Sequence, residues 1–367
     1  MKLNFNLSSC VRSSAINSNC QRCIDICPTN TIKIENNIPI FTPDECISCG
    51  GCVGICPTSA YSLDNFNMIE FIFNHFQTNE VLSCRQNTPC LATFSIEALI
   101  TLSLGNKENI TLDIGHCATC EIAKNLYPQI KNNINEANFI LSTFSQKKIE
   151  EKELGLESIE KTEVDTRSRR DFFSNLKPTN LIKTKIAFDE KIDGNEAKKF
   201  NFDENTINQI KTKFIPDIRK LFFTLMKNQD KPKIYETINS DEISFISQKY
   251  IDQSKCTNCQ ICYRICPTEA LNSDKNFSII NFNSILCLKC YLCHDVCEYD
   301  AIHVQKEFDI KEFFEPTNKI LAEFDIKRCD ECGNHFTYFG GDFTCPRCKT
   351  EEEEALALHN IFKKDFQ

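Results

Sequence analysis

The chain has 367 residues, enough for two or more domains, and its 24 cysteines are far more than an ordinary cytosolic protein carries. Its formal charge of −9 argues against nucleic-acid binding, which requires a basic surface, and favours a protein partner with a basic docking patch. No stretch is apolar enough to span a membrane, and residues 1–20 lack the apolar core of an export signal. We therefore expect a cytoplasmic protein whose C-x2-C runs bind metal, rather than a secreted disulfide framework.

The first cysteine-rich segment is predicted to form a module over residues 1–62. Its two cysteine runs are Cys10, Cys20, Cys23 and Cys27, and then Cys46, Cys49, Cys52 and Cys56. Three cysteines at a spacing of three residues can wrap one side of an iron–sulfur cube, while a cysteine four residues further on lies beyond the reach of that loop. Cys10 departs from this spacing because nine residues separate it from Cys20.

Residues 63–145 have few charges and a periodicity that predicts alternating strands and helices. The predicted strands are residues 81–83, 109–114 and 139–142, and the predicted helices are residues 93–104 and 118–134. This alternation is typical of a parallel α/β unit.

Four further cysteines lie in this unit, namely Cys84, Cys90, Cys117 and Cys120. Cys84 and Cys117 each follow a predicted strand, so both are expected at the carboxyl edge of the sheet, where open α/β folds place their ligands. Four thiolates there could hold a [2Fe–2S] cluster, a further [4Fe–4S] cluster or zinc. Two other interpretations stay open: buried free thiols without metal, and a redox-active dithiol at Cys117 and Cys120.

Residues 146–249 are rich in charged side chains and are predicted to form a linker followed by helices. A helical pair is expected over residues 202–229, broken near Pro216, with an apolar face that packs on a neighbouring module. Residues 168–173 are similar to a twin-arginine export signal, but the string is internal and no apolar stretch follows it. We interpret it instead as a basic, aromatic patch that docks an acidic partner surface.

A second cysteine-rich module is predicted over residues 250–310 and repeats the pattern of the first. Its two runs are Cys256, Cys259, Cys262 and Cys266, and then Cys287, Cys290, Cys293 and Cys297. Pro267 follows the first of these runs, whereas Glu298 stands where the other runs have proline.

Both cysteine-rich segments resemble bacterial dicluster ferredoxins, in which each run supplies its last cysteine to the neighbouring [4Fe–4S] cluster. The resemblance implies an α+β multidomain fold with two ferredoxin-like 2[4Fe–4S] modules on either side of a central α/β parallel-sheet unit. The four implied ligand sets are Cys10, Cys20, Cys23 and Cys56; Cys27, Cys46, Cys49 and Cys52; Cys256, Cys259, Cys262 and Cys297; and Cys266, Cys287, Cys290 and Cys293. Four zinc sites are the alternative, but zinc prefers pairs of C-x2-C knuckles to runs of this kind.

The last segment, residues 326–367, is predicted to form a small metal-binding ribbon and an acidic helical tail that begins at Glu351. The cysteines of its two C-x2-C knuckles are Cys329, Cys332, Cys345 and Cys348. They resemble a zinc ribbon or a rubredoxin-like site, both of which hold one ion through four thiolates in tetrahedral geometry. Zinc is favoured over iron because so small a unit needs metal to fold.

These resemblances imply an electron carrier, a polyferredoxin that relays electrons through four [4Fe–4S] clusters to or from a larger oxidoreductase such as a formate dehydrogenase or a hydrogenase. The sequence contains neither a G-x-G-x-x-G nucleotide loop nor a defensible catalytic triad, so a non-catalytic carrier or an oxidoreductase subunit is expected. Two alternatives are an assembly or maturation factor for such an enzyme, and a subunit with thiol–disulfide activity at Cys117 and Cys120.

Overall fold

The computed structural model describes residues 2–155 and 213–358, and the elements named below belong to these two ranges. The helices are α1 (Val11–Ser14), α2 (Arg22–Ile26), α3 (Gly51–Ile55), α4 (Met68–Thr78), α5 (Ile96–Gly105), α6 (Ala123–Ser142), α7 (Asp217–Met226), α8 (Ile261–Ile265), α9 (Leu292–Asp295), α10 (Lys311–Phe314) and α11 (Pro346–Leu358). The strands are β1 (Leu3–Phe5), β2 (Ile32–Glu35), β3 (Ile38–Phe41), β4 (Tyr61–Leu63), β5 (Ile110–Asp113), β6 (Ile149–Lys152), β7 (Thr237–Asn239), β8 (Lys249–Ile251), β9 (Leu271–Ser273), β10 (Ile279–Asn283), β11 (Ile302–Val304), β12 (Glu307–Asp309), β13 (Asn318–Glu323), β14 (Ile326–Arg328) and β15 (His335–Thr337). None of the helices in these ranges is both long and apolar enough to cross a membrane.

The N-terminal cysteine-rich segment is built from two antiparallel strand pairs and short helices that follow its cysteine loops. β1 pairs with β4, which brings the beginning and the end of the segment together. β2 and β3 form a hairpin whose two turn residues, Asn36 and Asn37, have φ angles of 49° and 64°. Asparagine tolerates this left-handed conformation, and two such residues in succession match the twist of a two-residue hairpin.

The middle of the chain forms a unit of longer helices, α4, α5 and α6, beside the strands β5 and β6; we call this the central unit. α5 begins where the hydroxyl of Ser95 accepts a hydrogen bond from the backbone N–H of Ala98 at 3.2 Å, and nearly all of its side chains are buried. β5 pairs with β6 in parallel, and Leu82 forms a single parallel bridge with Leu112 of β5. Within residues 2–155 and 213–358, the parallel sheet is therefore limited to two strands and one bridge.

The predicted strand at residues 139–142 is wrong, because this segment is the last turn of α6. The apolar side chains that α6 buries recur at helical spacing and continue into that segment: Leu126, Ile130, Ile134, Ala137 and Leu141. The second strand of the sheet is instead β6, which lies within the stretch that charge composition assigns to the linker. β6 exposes three of its four side chains, so its composition gives little indication of a strand.

The second cysteine-rich segment repeats the architecture of the first. β8 pairs with β11 as β1 pairs with β4, and β9 and β10 form a hairpin to which β13 adds a third strand. β7, which lies before the predicted start of this module, pairs with β12.

α7 joins the second cysteine-rich segment to the central unit by packing on α5. It begins after Pro216, and its buried face includes Leu221, Phe222 and Leu225. The first part of the predicted helical pair, residues 202–212, and the twin-arginine-like string lie outside the described residues. One hydrophobic core runs through the N-terminal segment, the central unit, α7 and the β7–β12 pair, whereas the strands and loops around the second group of paired cysteines have a core of their own.

Candidate iron–sulfur and metal sites

Three of the four paired cysteine runs wind in the same way. In each, the residue two positions after the first cysteine and the residue directly after the second cysteine have positive φ. These pairs are Ser48 and Gly50 (56° and 79°), Asn258 and Gln260 (52° and 72°), and Lys289 and Tyr291 (47° and 62°). Residues of alternating hand turn successive backbone N–H groups toward one centre, an arrangement that binds phosphates and anionic iron–sulfur clusters.

The N-terminal run lacks this loop, and Arg12 closes the longer excursion between Cys10 and Cys20. Its guanidinium donates to the carbonyl oxygen of Cys20 at 2.8 Å and to that of Asn37 at 3.1 Å. The amide of Asn37 in return donates to the carbonyl oxygens of Arg12 and Ala15, both at 2.9 Å. These bonds hold the excursion against the β2–β3 turn and return the chain to Cys20.

The thiols of the first set lie close enough to influence one another. Burial, together with the neighbouring thiols of Cys56, Cys20 and Cys23, raises the pKa of Cys10 to about 12. Cys56 belongs to the second run, and its sulfur accepts a hydrogen bond from the backbone N–H of Ala60 at 3.3 Å. Cys10 therefore lies with the cysteines it is predicted to join, despite its irregular spacing.

The second set lines a single cavity beside α3; its members are Cys27, Cys46, Cys49 and Cys52. Cys27 comes from the first run, so the two runs exchange their last cysteines. Its sulfur lies 3.5 Å from the hydroxyl of Thr31 and 3.6 Å from that of Thr29. Although burial opposes it, these hydroxyls lower the pKa of Cys27, which favours the thiolate that an iron atom requires.

The same exchange recurs in the third set, in the second cysteine-rich segment. Burial and the thiols of Cys259 and Cys297 raise the pKa of Cys256, and Cys297 is the last cysteine of the other run. The sulfur of Cys297 accepts a hydrogen bond from the backbone N–H of Ala301 at 3.2 Å, which repeats the contact between Cys56 and Ala60.

The fourth set completes the exchange. Burial and the thiols of Cys293, Cys287 and Cys266 raise the pKa of Cys290, and Cys266 belongs to the first run of this segment. The hydroxyl of Ser247 lies 3.3 Å from the sulfur of Cys287.

The four cysteines of the central unit also converge. Burial and then the thiol of Cys84, the carboxylate of Asp113 and the thiol of Cys120 raise the pKa of Cys117 to about 11. Burial and the thiols of Cys49, Cys84 and Cys117 raise the pKa of Cys90 to about 12. Cys90 therefore lies between this group and the second set, to which Cys49 belongs.

A buried carboxylate, Asp113, holds together the two loops that carry Cys84 and Cys117. It accepts hydrogen bonds from the hydroxyl of Ser83 and the guanidinium of Arg85, both at 2.7 Å, and from the backbone N–H groups of Gly115 (3.1 Å) and Leu154 (3.2 Å). Arg85 also donates to the carbonyl oxygen of Leu154 at 2.7 Å. The loops after the Leu82 bridge and after β5 are thus connected through charged hydrogen bonds.

The four C-terminal cysteines form the tightest group. Sulfur–sulfur distances are 4.0 Å for Cys329–Cys348 and 3.7 Å for Cys332–Cys345, close to the roughly 3.8 Å expected for thiolates about 2.3 Å from a tetrahedral ion. Backbone N–H donors, chiefly that of Cys332 and then that of Cys345, lower the pKa of Cys329, whereas contacts with the neighbouring thiols of Cys345 and Cys332 raise the pKa of Cys348. The group therefore has the geometry of a site that could hold a single metal ion.

The C-terminal group differs from the paired sets in the distances between its sulfur atoms. Within residues 2–155 and 213–358, it is the one group of three or more potential ligands whose donor atoms all lie within 4.8 Å of one another. The paired sets are wider, which fits a four-iron cube, because the iron atoms stand between the thiolates. The wound loops and the exchanged cysteines therefore fit [4Fe–4S] clusters better than single ions.

Two segments of the chain match models of protein families. Residues 16–60 and residues 255–302 each match a family described as a 4Fe-4S dicluster domain. The predicted resemblance is confirmed for these two segments, and the protein contains two dicluster ferredoxin domains of the 4Fe–4S type. No curated protein matches the chain. Cys10, the central unit and the C-terminal group lie outside both matches.

Sequence reasoning missed the buried or half-buried cations that contact the cysteine loops. Arg219, only 1 % exposed, pairs with Glu97 of α5 and donates to the carbonyl oxygens of Cys287 (3.0 Å) and Phe245 (2.7 Å). The sequence did contain an indication of this contact, because Arg219 is a single arginine within the apolar face of α7. Lys249 had no comparable signal, because a lysine at the start of a short strand is usually exposed.

Proposed function

We propose that the protein is a cytoplasmic polyferredoxin, an electron carrier that binds four [4Fe–4S] clusters through its sixteen paired cysteines. The observation that carries this proposal is the exchange of the last cysteine between neighbouring runs, which occurs in both dicluster domains. Each cluster, when bound, can take up and release one electron. The role of the chain is to hold the four sets, shield them from water and keep them in series.

Contacts between the two dicluster domains support a single series of sites. The backbone N–H and side-chain amide of Asn19 donate to the carboxylate of Asp295 at 3.1 and 3.3 Å, and Arg22 donates to the carbonyl oxygen of Lys289 at 2.9 Å. Asn19 and Arg22 flank Cys20 of the first set, and Lys289 and Asp295 flank the fourth set. The first and fourth sets therefore lie beside the contacts between the two domains.

The central cysteines extend this series at one end. The hydroxyl of Thr93 donates to the carbonyl oxygen of Cys49 at 3.1 Å, and a side chain at Gly54 would collide with the carbonyl oxygen of Ala92. The loop after Cys90 is thus packed directly on the loop of the second set. We propose that Cys84, Cys90, Cys117 and Cys120 hold a fifth iron–sulfur cluster, since they are spaced too widely to share one zinc ion.

Thiol–disulfide activity at Cys117 and Cys120 is less well supported. A reactive thiol needs a lowered pKa, whereas burial and neighbouring negative charge raise the pKa of Cys117. A metal ion would reverse this balance by stabilising the thiolate.

The four C-terminal cysteines lie at the other end of the series of sites. We propose that they hold a structural zinc ion. The side-chain amide of Asn258, next to Cys259 of the third set, donates to the hydroxyl of Thr337 in β15 at 3.0 Å. The ribbon of β14, β15 and α11 thus packs on the third set, and a metal ion there would stabilise the surface beside it.

The outer loops provide surfaces for redox partners. Ile47 lies between two cysteines of the second set and Ile261 between two of the third, and they are 49 % and 47 % exposed. An apolar residue over a cluster loop, on a protein of net charge −9, suits a partner with a basic rim around an apolar centre. We propose a larger oxidoreductase, such as a formate dehydrogenase or a hydrogenase, as that partner.

Anaerobic metal analysis with EPR spectroscopy tests the proposal. We expect about 16 iron atoms from the paired sets, two to four more (roughly) if the central set is loaded, and about one zinc. Cys52→Ser should remove or alter the signal of one cluster and leave the zinc unchanged. Zinc instead of iron at the paired sets, or reduced protein without cluster signals, would overturn the electron-carrier function.

A further inference from the structure

A buried lysine faces the fourth set. Lys249, on β8, is 3 % exposed, and its ammonium group lies 2.7 Å from Nε2 of His294, a residue inside the last cysteine run. The same ammonium lies 5.7 Å from the centre of the Tyr291 ring. Because an ammonium can only donate, the imidazole of His294 accepts this hydrogen bond through an unprotonated nitrogen.

The contact with His294 does not neutralise the lysine. An imidazole that accepts this hydrogen bond through an unprotonated nitrogen carries no negative charge, so it cannot offset the charge of the ammonium. Among the ion pairs of the described residues, none involves Lys249. Although burial opposes it, the thiols of Cys287, Cys293 and Cys290 raise its pKa, so the ammonium stays charged beside the fourth set.

Other cations near the fourth set are largely matched by carboxylates. Arg219 pairs with Glu97, and Lys289 lies near Glu136 and Asp241 while donating to two carbonyl oxygens. Lys213 donates to the carbonyl oxygen of Cys266 at 2.6 Å and Arg22 to that of Lys289 at 2.9 Å, but both side chains are only half-buried. Lys249 is therefore the enclosed cation beside this set that has no carboxylate partner.

The first set also has cations nearby, but water screens them. Arg12 and Arg22 are only half-buried, whereas Lys249 is enclosed. A charge in a low-dielectric interior acts more strongly over the same distance than a solvated one.

We propose that Lys249 makes the cluster held by Cys266, Cys287, Cys290 and Cys293 the most easily reduced of the four. Reduction adds one negative charge to a cluster, and a fixed buried cation stabilises the reduced state more than the oxidised one. During reduction of the protein, this cluster would accept an electron before the other three. It would then hold that electron where the two domains meet. The inference rests on the proposed function, because it requires that the clusters bind.

An EPR-monitored redox titration of the full-length protein tests this role. We expect one cluster to be reduced at a higher potential than the other three, and Cys290→Ser to change the signal of that cluster. Lys249→Met keeps the length and apolar stem of the side chain. In this variant, the midpoint potential of that cluster should decrease, while the midpoint potentials of the other three clusters should stay unchanged. Lys249→Arg should restore most of the wild-type potential, because it returns the charge.

The matched control is Lys306→Met, which removes an exposed charge from the same part of the chain and should leave all four steps unchanged. Lys249→Met protein with full iron content and an unmoved first step would overturn the inference but leave the electron-carrier function intact. If Lys249→Met loses iron, the titration of the wild-type protein still tests whether the cluster bound by Cys290 is reduced before the others. Four clusters that titrate together, or a first step insensitive to Cys290→Ser, would contradict the proposal. Protein without paired-set clusters would instead overturn the proposed function itself.

Discussion

At the scale of single residues, side chains that hydrogen-bond to the backbone shape the cysteine loops. Arg12 carries out this role where the usual wound loop is missing, by joining the carbonyl oxygens of Cys20 and Asn37. Cys10 lies outside the matched domain, and Arg12 holds the segment that leads from Cys10 to Cys20.

Arg12→Ala should therefore weaken the first set selectively. The excursion between Cys10 and Cys20 would lose the three hydrogen bonds that the Arg12 guanidinium donates to Cys20 and Asn37, and we expect the loss of about four of about 16 iron atoms. Anaerobic iron analysis with EPR measures this. Lys33→Ala, an exposed change on β2, is the control, and equal iron content in the two variants would refute the role of Arg12.

A buried histidine of the central unit gives a pH dependence of stability. His75 donates through Nε2 to the carbonyl oxygen of Glu80 at 2.7 Å and accepts at Nδ1 from the amide of Asn106 at 3.1 Å. Burial lowers its pKa below the ordinary 6.5, so the folded state keeps the ring neutral while the unfolded chain takes up a proton.

The free energy of unfolding should thus decrease as the pH falls below about 6.5, by at most about 1.4 kcal/mol per pH unit, until the folded pKa is reached. Denaturant unfolding at pH 8 and pH 5.5 measures the difference. His75→Gln should reduce it, whereas His335→Gln, at an exposed position in the ribbon, should not. An unchanged pH dependence in His75→Gln would show that other groups cause it.

At the scale of secondary-structure elements, the packing of α5 on α7 depends on the buried pair of Glu97 and Arg219. Burial raises the pKa of Glu97 even though Arg219 opposes the shift, so the carboxylate depends on that single partner. Removing one member of such a pair leaves the other charge buried.

Glu97→Gln should lower the free energy of unfolding by about 3 kcal/mol. The comparison is Asp217→Asn, which removes the exposed ion pair with Lys220 on α7 and should cost less than about 1 kcal/mol. Denaturant unfolding followed by circular dichroism measures both. Equal effects would indicate that the pair of Glu97 and Arg219 contributes no more than a surface contact.

The elements also show how far sequence reasoning reaches. Cysteine spacing predicted the loops of both dicluster domains, because ligand geometry ties spacing directly to structure. The end of α6 at residues 139–142 was mistaken for a strand because a short apolar run has no periodicity of its own. The contacts of Arg12, Arg219 and Lys249 were beyond prediction, since each joins residues far apart in the chain.

At the scale of the whole molecule, the dicluster domains differ in how they are supported. The first shares a hydrophobic core with the central unit and α7, while the second cysteine-rich segment and the ribbon have separate small cores. A small core stabilises little by itself, so the ribbon should depend on its metal ion.

Cys348→Ser should release the zinc ion and unfold the ribbon while the paired sets keep about 16 iron atoms. Zinc analysis and proteolysis near α11 measure these effects. Cys329→Ser should behave in the same way, because the four thiols act as one site. Retention of zinc in both variants, or loss of iron with zinc, would contradict an independent structural site.

The position of Arg219 has a consequence for biogenesis. It lies 68 residues before Cys287, whose carbonyl oxygen it binds, and its charge partner belongs to a helix made still earlier. During translation, the N-terminal half therefore emerges with every residue of its own cysteine loops, together with Glu97 and Arg219, before the carbonyl group that Arg219 binds has been made.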